Sequence, residues 1–244
     1  MPNVYRAITN LAQVLLDSRP PIAYVGGWTG KNNLGDEVLL DAARHIFSER
    51  ALFQYPGGRL ARTSLNLIPQ LRHGLLGGGT LIGQKQLWLD ITQEYQKQRH
   101  SLVVFGTGVE DATFWPGDPP LEAWRPILKK CSFLGVRGPI SARLLETIGC
   151  QDVHIVGDPV LVYAHDTPRP DISPDCLGLN IGTADGRLFG GSELRVASEM
   201  AKIATTAKRN GCSVEWFVVW PKDLELTRRV ANETGTAERI HEVY

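Results

Sequence analysis

One pattern recurs along this chain: a short apolar run, a cluster of glycines or turn residues, then an amphipathic stretch with helical spacing. Ile22-Ala23-Tyr24-Val25 opens into Gly26-Gly27, and from Gly35 to about Arg50 the apolar positions Val38, Leu39, Ala42, Ala43, Ile46 and Phe47 return every three or four residues. Leu75-Leu76 runs into Gly77-Gly78-Gly79-Thr80 and a helical stretch to about Arg99, and Leu102-Val103-Val104-Phe105 runs into Gly106-Thr107-Gly108. Residues 133–136 lead into Arg137-Gly138-Pro139 and a helix to Ile148 closed by Gly149, and residues 153–156 end at Gly157-Asp158-Pro159. Strands that are apolar throughout are buried on both faces, so their alternation with helices predicts an α/β fold with a parallel sheet covered on both sides. In such sheets ligands bind beyond the carboxyl ends of the strands, where these glycines fall.

Residues 4–16 predict a helix ahead of the first strand, stopped by Arg19-Pro20-Pro21. Residues 166–175 are polar and proline-rich, a linker between a first domain at residues 1–165 and a second at 176–244. In the second, residues 177–182 read as a strand and turn, 193–209 as a helix, 214–220 as a strand and 221–233 as a helix. A free-standing α/β domain usually takes on the order of 100 to 150 residues, so the second domain is expected to be incomplete.

Composition removes several functions. Lys plus Arg number 26 and Asp plus Glu number 26, and without a cationic surplus the chain is expected to have no nucleic-acid partner. The four cysteines form no C-x-x-C pair and the histidines have no ligand spacing, so no metal site is expected. No G-x-G-x-x-G, P-loop or G-x-S-x-G is present, which speaks against a nicotinamide or flavin cofactor and against serine-hydrolase chemistry. No apolar run approaches the roughly 18 residues of a membrane span, and no signal peptide is read, so a reduced, cytoplasmic chain is expected. Trp115 with Pro116, and Trp216 with Trp220, read as core or loop anchors.

The candidate site residues lie at strand ends. Asn33, Gly35, Asp36 and Glu37 sit where a helix begins. Asp36 there has two readings: a helix cap that accepts hydrogen bonds from unpaired amides, or a group that acts on a substrate hydroxyl beside Asn33. Gly77, Gly78, Gly79 and Thr80 form a backbone cradle for an anion or a sugar, or a tight turn with close sheet packing. Arg137 follows a buried strand and offers a planar fork for carboxylate or phosphate, the alternative being a salt bridge between neighbouring loops. Asp158 either caps the turn out of the last strand or faces the cleft.

Asn33-Leu34-Gly35-Asp36-Glu37, Leu76-Gly77-Gly78-Gly79-Thr80-Leu81, Gly106-Thr107-Gly108-Val109, Val136-Arg137-Gly138-Pro139-Ile140-Ser141 and Gly157-Asp158-Pro159, in that order, resemble the polysaccharide pyruvyl transferase family. The resemblance implies two Rossmann-like domains in a GT-B-like arrangement with the active site between them. It implies transfer of the pyruvyl group of phosphoenolpyruvate to a hydroxyl of a sugar or lipid-linked glycan, with no cofactor. In that reading Asp36 and Arg137 are catalytic, and Asn33, Gly35, Glu37, Gly77, Gly78, Gly79, Thr80, Gly106, Gly108, Ser141 and Asp158 bind substrate. The family carries a later Arg-Leu-His motif; here Arg239-Ile240-His241 either stands for it or begins the next strand. Two other functions fit the same plan: a nucleotide-sugar glycosyltransferase, and a catalytically inactive binding protein.

Overall fold

The computed structural model describes residues 12, 16–56, 58, 62, 71–83, 85–98, 101–111, 120–164, 175–183 and 192–244. The expected N-terminal helix and the linker lie outside them, except for Ala12, Leu16 and Asp175, and so do Trp115 and Pro116. The chain divides into two compact units, Met1–Gly27 with Val38–Asp166 and Trp28–Glu37 with Thr167–Tyr244.

The elements of the first unit are, in chain order, β1 (Pro21–Val25), α1 (Leu34–Ile46, counted here from Val38), β2 (Ala51–Gln54), β3 (His73–Gly77), β4 (Thr80–Ile82), α2 (Gln86–Lys97), β5 (Ser101–Val109), α3 (Arg125–Leu128), β6 (Phe133–Val136), α4 (Pro139–Thr147) and β7 (Val153–Ile155). The sheet has seven strands, ordered β2-β1-β3-β5-β6-β7 with β4 also paired to β5, and every pairing is parallel. The chain leaves β1 to one side for β2 and returns to the other for β3. The winding therefore reverses between β1 and β3, the kind of crevice in which open α/β sheets hold ligands.

Alternation along the strands places helices on both faces. Ile22, Tyr24 and Leu75 pack with Leu40 and Ala43 of α1, and the Phe47 ring meets Phe105 edge-on at 5.3 Å. On the opposite face a Cβ on Gly74 would lie 2.4 Å from the ring of Tyr95 in α2, whose hydroxyl donates to the Leu71 carbonyl at 2.9 Å. Only glycine lets this tyrosine lie flat on β3. Burial of each large apolar side chain in such layers stabilises by about 1.5–3 kcal/mol. Pro139 opens α4, and Gly149, at φ 76°, follows its end in the left-handed conformation that closes a helix.

Two sequence expectations are corrected. The helix expected directly after Thr80 starts only at Gln86, because residues 80–82 first pair with β5 as β4. Gly106 and Gly108 lie inside β5 and not in a loop beyond it: Gly106, at φ 68°, makes a bulge where the register to β6 shifts between Phe105 and Thr107.

The second unit holds β8 (Cys176–Leu179), α5 (Glu193–Arg209), β9 (Ser213–Val218), α6 (Leu224–Thr234) and β10 (Ile240–Glu242), with the strands parallel in the order β10-β9-β8. In β9, Val214, Trp216 and Val218 point inward, and the core adds Ala197 and Ala204 of α5 and Leu226, Val230 and Ala231 of α6. Trp216 is fully buried and its indole N–H donates to the Thr236 hydroxyl at 2.8 Å. Residues Trp28–Glu37 join this unit through the Leu34 amide, which donates to the Val219 carbonyl at 3.0 Å.

Candidate functional site

The carboxyl ends of β3, β5, β6 and β7 are tied together around Thr107. The bulge at Gly106 turns the next side chain inward, so Thr107 is fully buried. Its hydroxyl accepts from the Leu81 amide and donates to the Gly79 carbonyl, both at 3.3 Å. The Gly108 amide donates to the same Gly79 carbonyl at 2.9 Å, and the Arg137 amide donates to the Thr107 carbonyl at 3.0 Å. Ser141 turns its hydroxyl to the end of β5, accepting from the Val109 amide at 3.0 Å.

The glycines here admit other parts of the chain. A Cβ on Gly78, at φ 79°, would lie 2.4 Å from the Tyr24 hydroxyl, and one on Gly108 2.8 Å from the Thr80 hydroxyl oxygen. A Cβ on Gly106 would stand 2.2 Å from Pro159 Cγ, so the turn after β7 is clasped directly onto β5. The Gly77–Thr80 stretch is thus shaped by close packing. It still leaves Gly79 and Thr80 at the rim, half-buried.

Arg137 leaves β6 toward this rim. Its Nε lies 3.2 Å from Asp158 Oδ2, the loop-to-loop ion pair that the sequence offered as one alternative. The contact is close but not aligned as a hydrogen bond. Nε and Nη2 are both shut off from solvent, and neither has a hydrogen-bond acceptor among the described residues, although the side chain as a whole is 33% exposed. Asp158 is held much more firmly. Its Oδ1 accepts from the Val160 amide at 3.1 Å, its carbonyl accepts from Leu161 at 3.0 Å, and both bonds open the short 3₁₀ turn at Pro159–Ala164.

The other candidate residues belong to the second unit. Asn33 is the cap of α1: its carbonyl accepts from Glu37 at 3.0 Å and its side-chain oxygen from Gly35 at 3.1 Å. Asn33 thus takes the N-cap position at the start of α1. Asp36 sits three residues beyond Asn33, inside the first turn of the helix, and is buried, and the Glu37 carboxylate accepts from the Gly30 amide. At the carboxyl ends of β8 and β9, Asp223 is 1% exposed and its Oδ1 accepts from both the amide and the hydroxyl of Thr183, at 2.8 and 2.6 Å. Burial raises the Asp223 pKa above the ordinary aspartate value, against the two Thr183 bonds.

Ile240–Glu242 forms β10, so Arg239-Ile240-His241 runs into a strand. Both side chains reach one carboxylate on the open face of the sheet: Arg239 Nη1 lies 2.7 Å from Glu215 Oε1, and His241 Nε2 2.6 Å from Oε2. A cavity of about 530 Å³ opens between α5 and α6, lined by residues such as Lys202, Arg209, Arg229 and Glu233, all in the bodies of the helices and none at a strand end. None of the four cysteines forms a disulfide, and burial pushes the Cys131 thiol up to about 12, which makes it inert. Among the described residues no three His, Cys, Asp or Glu side chains are placed to share a metal ion, and no helix is long and apolar enough to cross a membrane.

The structure thus brings Gly77–Thr80, Gly106, Gly108, Arg137, Ser141 and Asp158 together in one unit and places Asn33, Gly35, Asp36 and Glu37 in the other. Thr107 and Tyr24, which shape the first group, were not singled out from the sequence. Their hydroxyls in otherwise apolar strands beside glycine clusters were the available signal.

The first unit is an α/β fold built on a parallel sheet, with Arg137 at the carboxyl ends of its strands. The family model for polysaccharide pyruvyl transferase matches residues 33–211, and the chain belongs to that family. The matched span holds Asn33–Glu37, Gly77–Thr80, Gly106–Gly108, Arg137–Ser141 and Gly157–Pro159, and stops before Arg239. No curated protein matches the chain.

Proposed function

We propose that the protein transfers the pyruvyl group of phosphoenolpyruvate to a sugar hydroxyl, with Arg137 as a clamp for the donor. The observation that carries this reading is the guanidinium itself: two buried N–H donors with no aligned hydrogen-bond acceptor among the described residues, the Asp158 carboxylate alone lying close to Nε, at the carboxyl edge of a parallel sheet. A buried donor left unpaired costs about 1–3 kcal/mol, so a bound carboxylate or phosphate would recover free energy that the empty site forgoes.

The reaction needs a proton on the donor's methylene carbon, which leaves positive character on the adjacent carbon. An acceptor hydroxyl adds there with loss of its proton, the bond to phosphate breaks, and a second hydroxyl closes a cyclic ketal. Inorganic phosphate is the other product. Holding the donor's two anionic groups neutralises charge without redox chemistry, and no cofactor is needed. Asn33 and Asp36 are proposed to orient or deprotonate the acceptor, a sugar or lipid-linked glycan of cell-wall or exopolysaccharide synthesis. Two Rossmann-like domains on a GT-B-like plan, with domain limits near residues 165 and 176, and a cytoplasmic location compatible with four cysteines that form no disulfide, belong to the same proposal.

The test is equilibrium binding of phosphoenolpyruvate to the full chain and to Arg137→Ala. Loss of a charge-assisted contact predicts affinity weakened about tenfold or more. Unchanged affinity would show that the donor is held elsewhere.

A further inference from the structure

Arg137 and Asp158 are unequal partners. Asp158 is fixed on three sides: its Oδ1 by the Val160 amide at 3.1 Å, its carbonyl by the Leu161 amide at 3.0 Å, and its neighbour Pro159 by the glycine gap at Gly106, where a Cβ would be 2.2 Å from the proline ring. Among the described residues Arg137 is hydrogen-bonded at its backbone, whose amide donates to the Thr107 carbonyl at 3.0 Å, and not through its side chain. Its long side chain is 33% exposed, and its Nε is 3.2 Å from the spare Asp158 oxygen without an aligned hydrogen bond. A rigid carboxylate therefore stands at the Nε corner of the Nε–Nη2 edge, the edge with which a guanidinium grips an anion in bidentate fashion.

We propose that Asp158 is a built-in counter-ion that holds the Arg137 fork closed in the empty site and sets the selectivity of the donor clamp, and this rests on the donor reading of Arg137. A weak or singly charged anion cannot draw the fork from Asp158, whereas a ligand with two anionic groups can. Asp158 is thus a positioning residue that acts through Arg137. The closed state lowers the apparent affinity by the fraction of molecules in which the fork is free, so loosening it tightens binding. Its loose geometry and partial exposure keep that penalty small.

Asp158→Asn separates the two jobs of the side chain, since an amide oxygen still accepts from Val160 while the charge is gone. Asp158→Ser, with a hydroxyl acceptor, is a second route to the same end. Inorganic phosphate and phosphoenolpyruvate are titrated calorimetrically into the full chain, both variants, Arg137→Ala and the double variant Arg137→Ala/Asp158→Asn. The expected result is about three- to tenfold tighter binding in the Asp158 variants, larger for phosphate than for phosphoenolpyruvate, with an unaltered unfolding midpoint. The double variant should bind as weakly as Arg137→Ala, because there is no fork left to release. Equal or weaker binding in folded Asp158→Asn and Asp158→Ser, with Arg137→Ala still impaired, would overturn the counter-ion role and leave the donor clamp standing. No change on Arg137→Ala would remove the clamp and this proposal with it.

Discussion

At the carboxyl ends of β3, β5 and β6 the loops of the first unit are held by backbone groups and two buried hydroxyls, Thr107 and Ser141, with glycines giving the room. At the ends of β8 and β9 the second unit uses a buried carboxylate, Asp223, which takes the amide and hydroxyl of Thr183. The first arrangement satisfies uncharged groups and leaves its arginine under-bonded; the second spends its charge on its own loop. A charged side chain is available to a ligand only where the scaffold around it is completed by other groups. That makes Arg137, and not Asp223, the stronger candidate for ligand contact.

The largest test of this contrast is a pair of glycine substitutions. Gly106→Ala must adopt φ 68° and also place a methyl 2.2 Å from Pro159 Cγ, whereas Gly211→Ala in the second unit, at φ 82°, meets nothing within 4 Å. Steric overlap in a closed site adds to backbone strain, so we expect about 3 kcal/mol or more for the first and about 1 kcal/mol for the second. Urea unfolding with hydrogen exchange followed separately in each unit measures both. Equal costs would mean that the clasp of Pro159 on β5 yields freely, and the rigidity ascribed to Asp158 would fall with it.

Next in size is Thr107→Val, which keeps volume and removes the hydroxyl shared by the Leu81 amide and the Gly79 carbonyl. The Gly79 carbonyl keeps the Gly108 amide while the Leu81 amide is left unpaired, and an unpaired buried group of that kind costs about 1–3 kcal/mol. The loss should appear as faster exchange at Leu81 and in β5, with the second unit unchanged. Loss spread evenly over both units would contradict the local role given to Thr107.

How far these features could be read in advance depended on their range. The helix at Glu193–Arg209 was legible to the residue, because Ser192 caps it, its amide partner Arg195 being 3.3 Å away, and apolar spacing runs through its length. The cap on α1 was legible in principle from Asn33 three residues before Asp36, but two acidic side chains at a helix start compete for one reading. Residues 80–82 and Ala51–Gln54 are strands too short to show a period, and only pairing with β5 and β1 makes them strands. Gly106 looked like a loop residue because a bulge and a turn ask for the same backbone freedom. That Arg137 faces Asp158, 21 positions along the chain, is set by the register of β6 on β7 and of β5 on β6, which no local pattern encodes.

A smaller effect separates the two units by pH. The Asp223 pKa is raised by burial above its ordinary value of 3.8, so the folded state holds this proton more tightly than the unfolded chain. As pH rises from about 3.8 through the folded-state value, the unfolded chain releases its proton first and stability declines; above that window the deficit is constant. Asp223→Asn keeps an oxygen for Thr183 and removes the titration. Unfolding midpoints of the variant, measured from acid to neutral pH, should therefore gain on the parent protein as pH rises through the window. A constant difference would place the same proton affinity in both states and remove the case for a buried carboxylic acid.

The smallest effect is expected on the open face of the second sheet. Glu215 is held below the ordinary glutamate range first by its bond to His241 and then by Arg239, the sign opposite to that of Asp223 in the same unit. Its stabilising contribution is present above about 4.5 and fades as pH falls through the lower folded-state value, because protonation removes the charge that both partners face. The cluster is exposed to solvent, so the gain is screened and largely offset by the ordering of long side chains. Glu215→Gln should consequently lower the unfolding midpoint slightly at neutral pH and low salt, less at high salt, and not at all below the titration of Glu215. A salt-insensitive loss as large as that of Thr107→Val would mean that the Glu215 carboxylate is shielded from water. It would then be a counterpart of Asp223 and no longer a surface ion cluster.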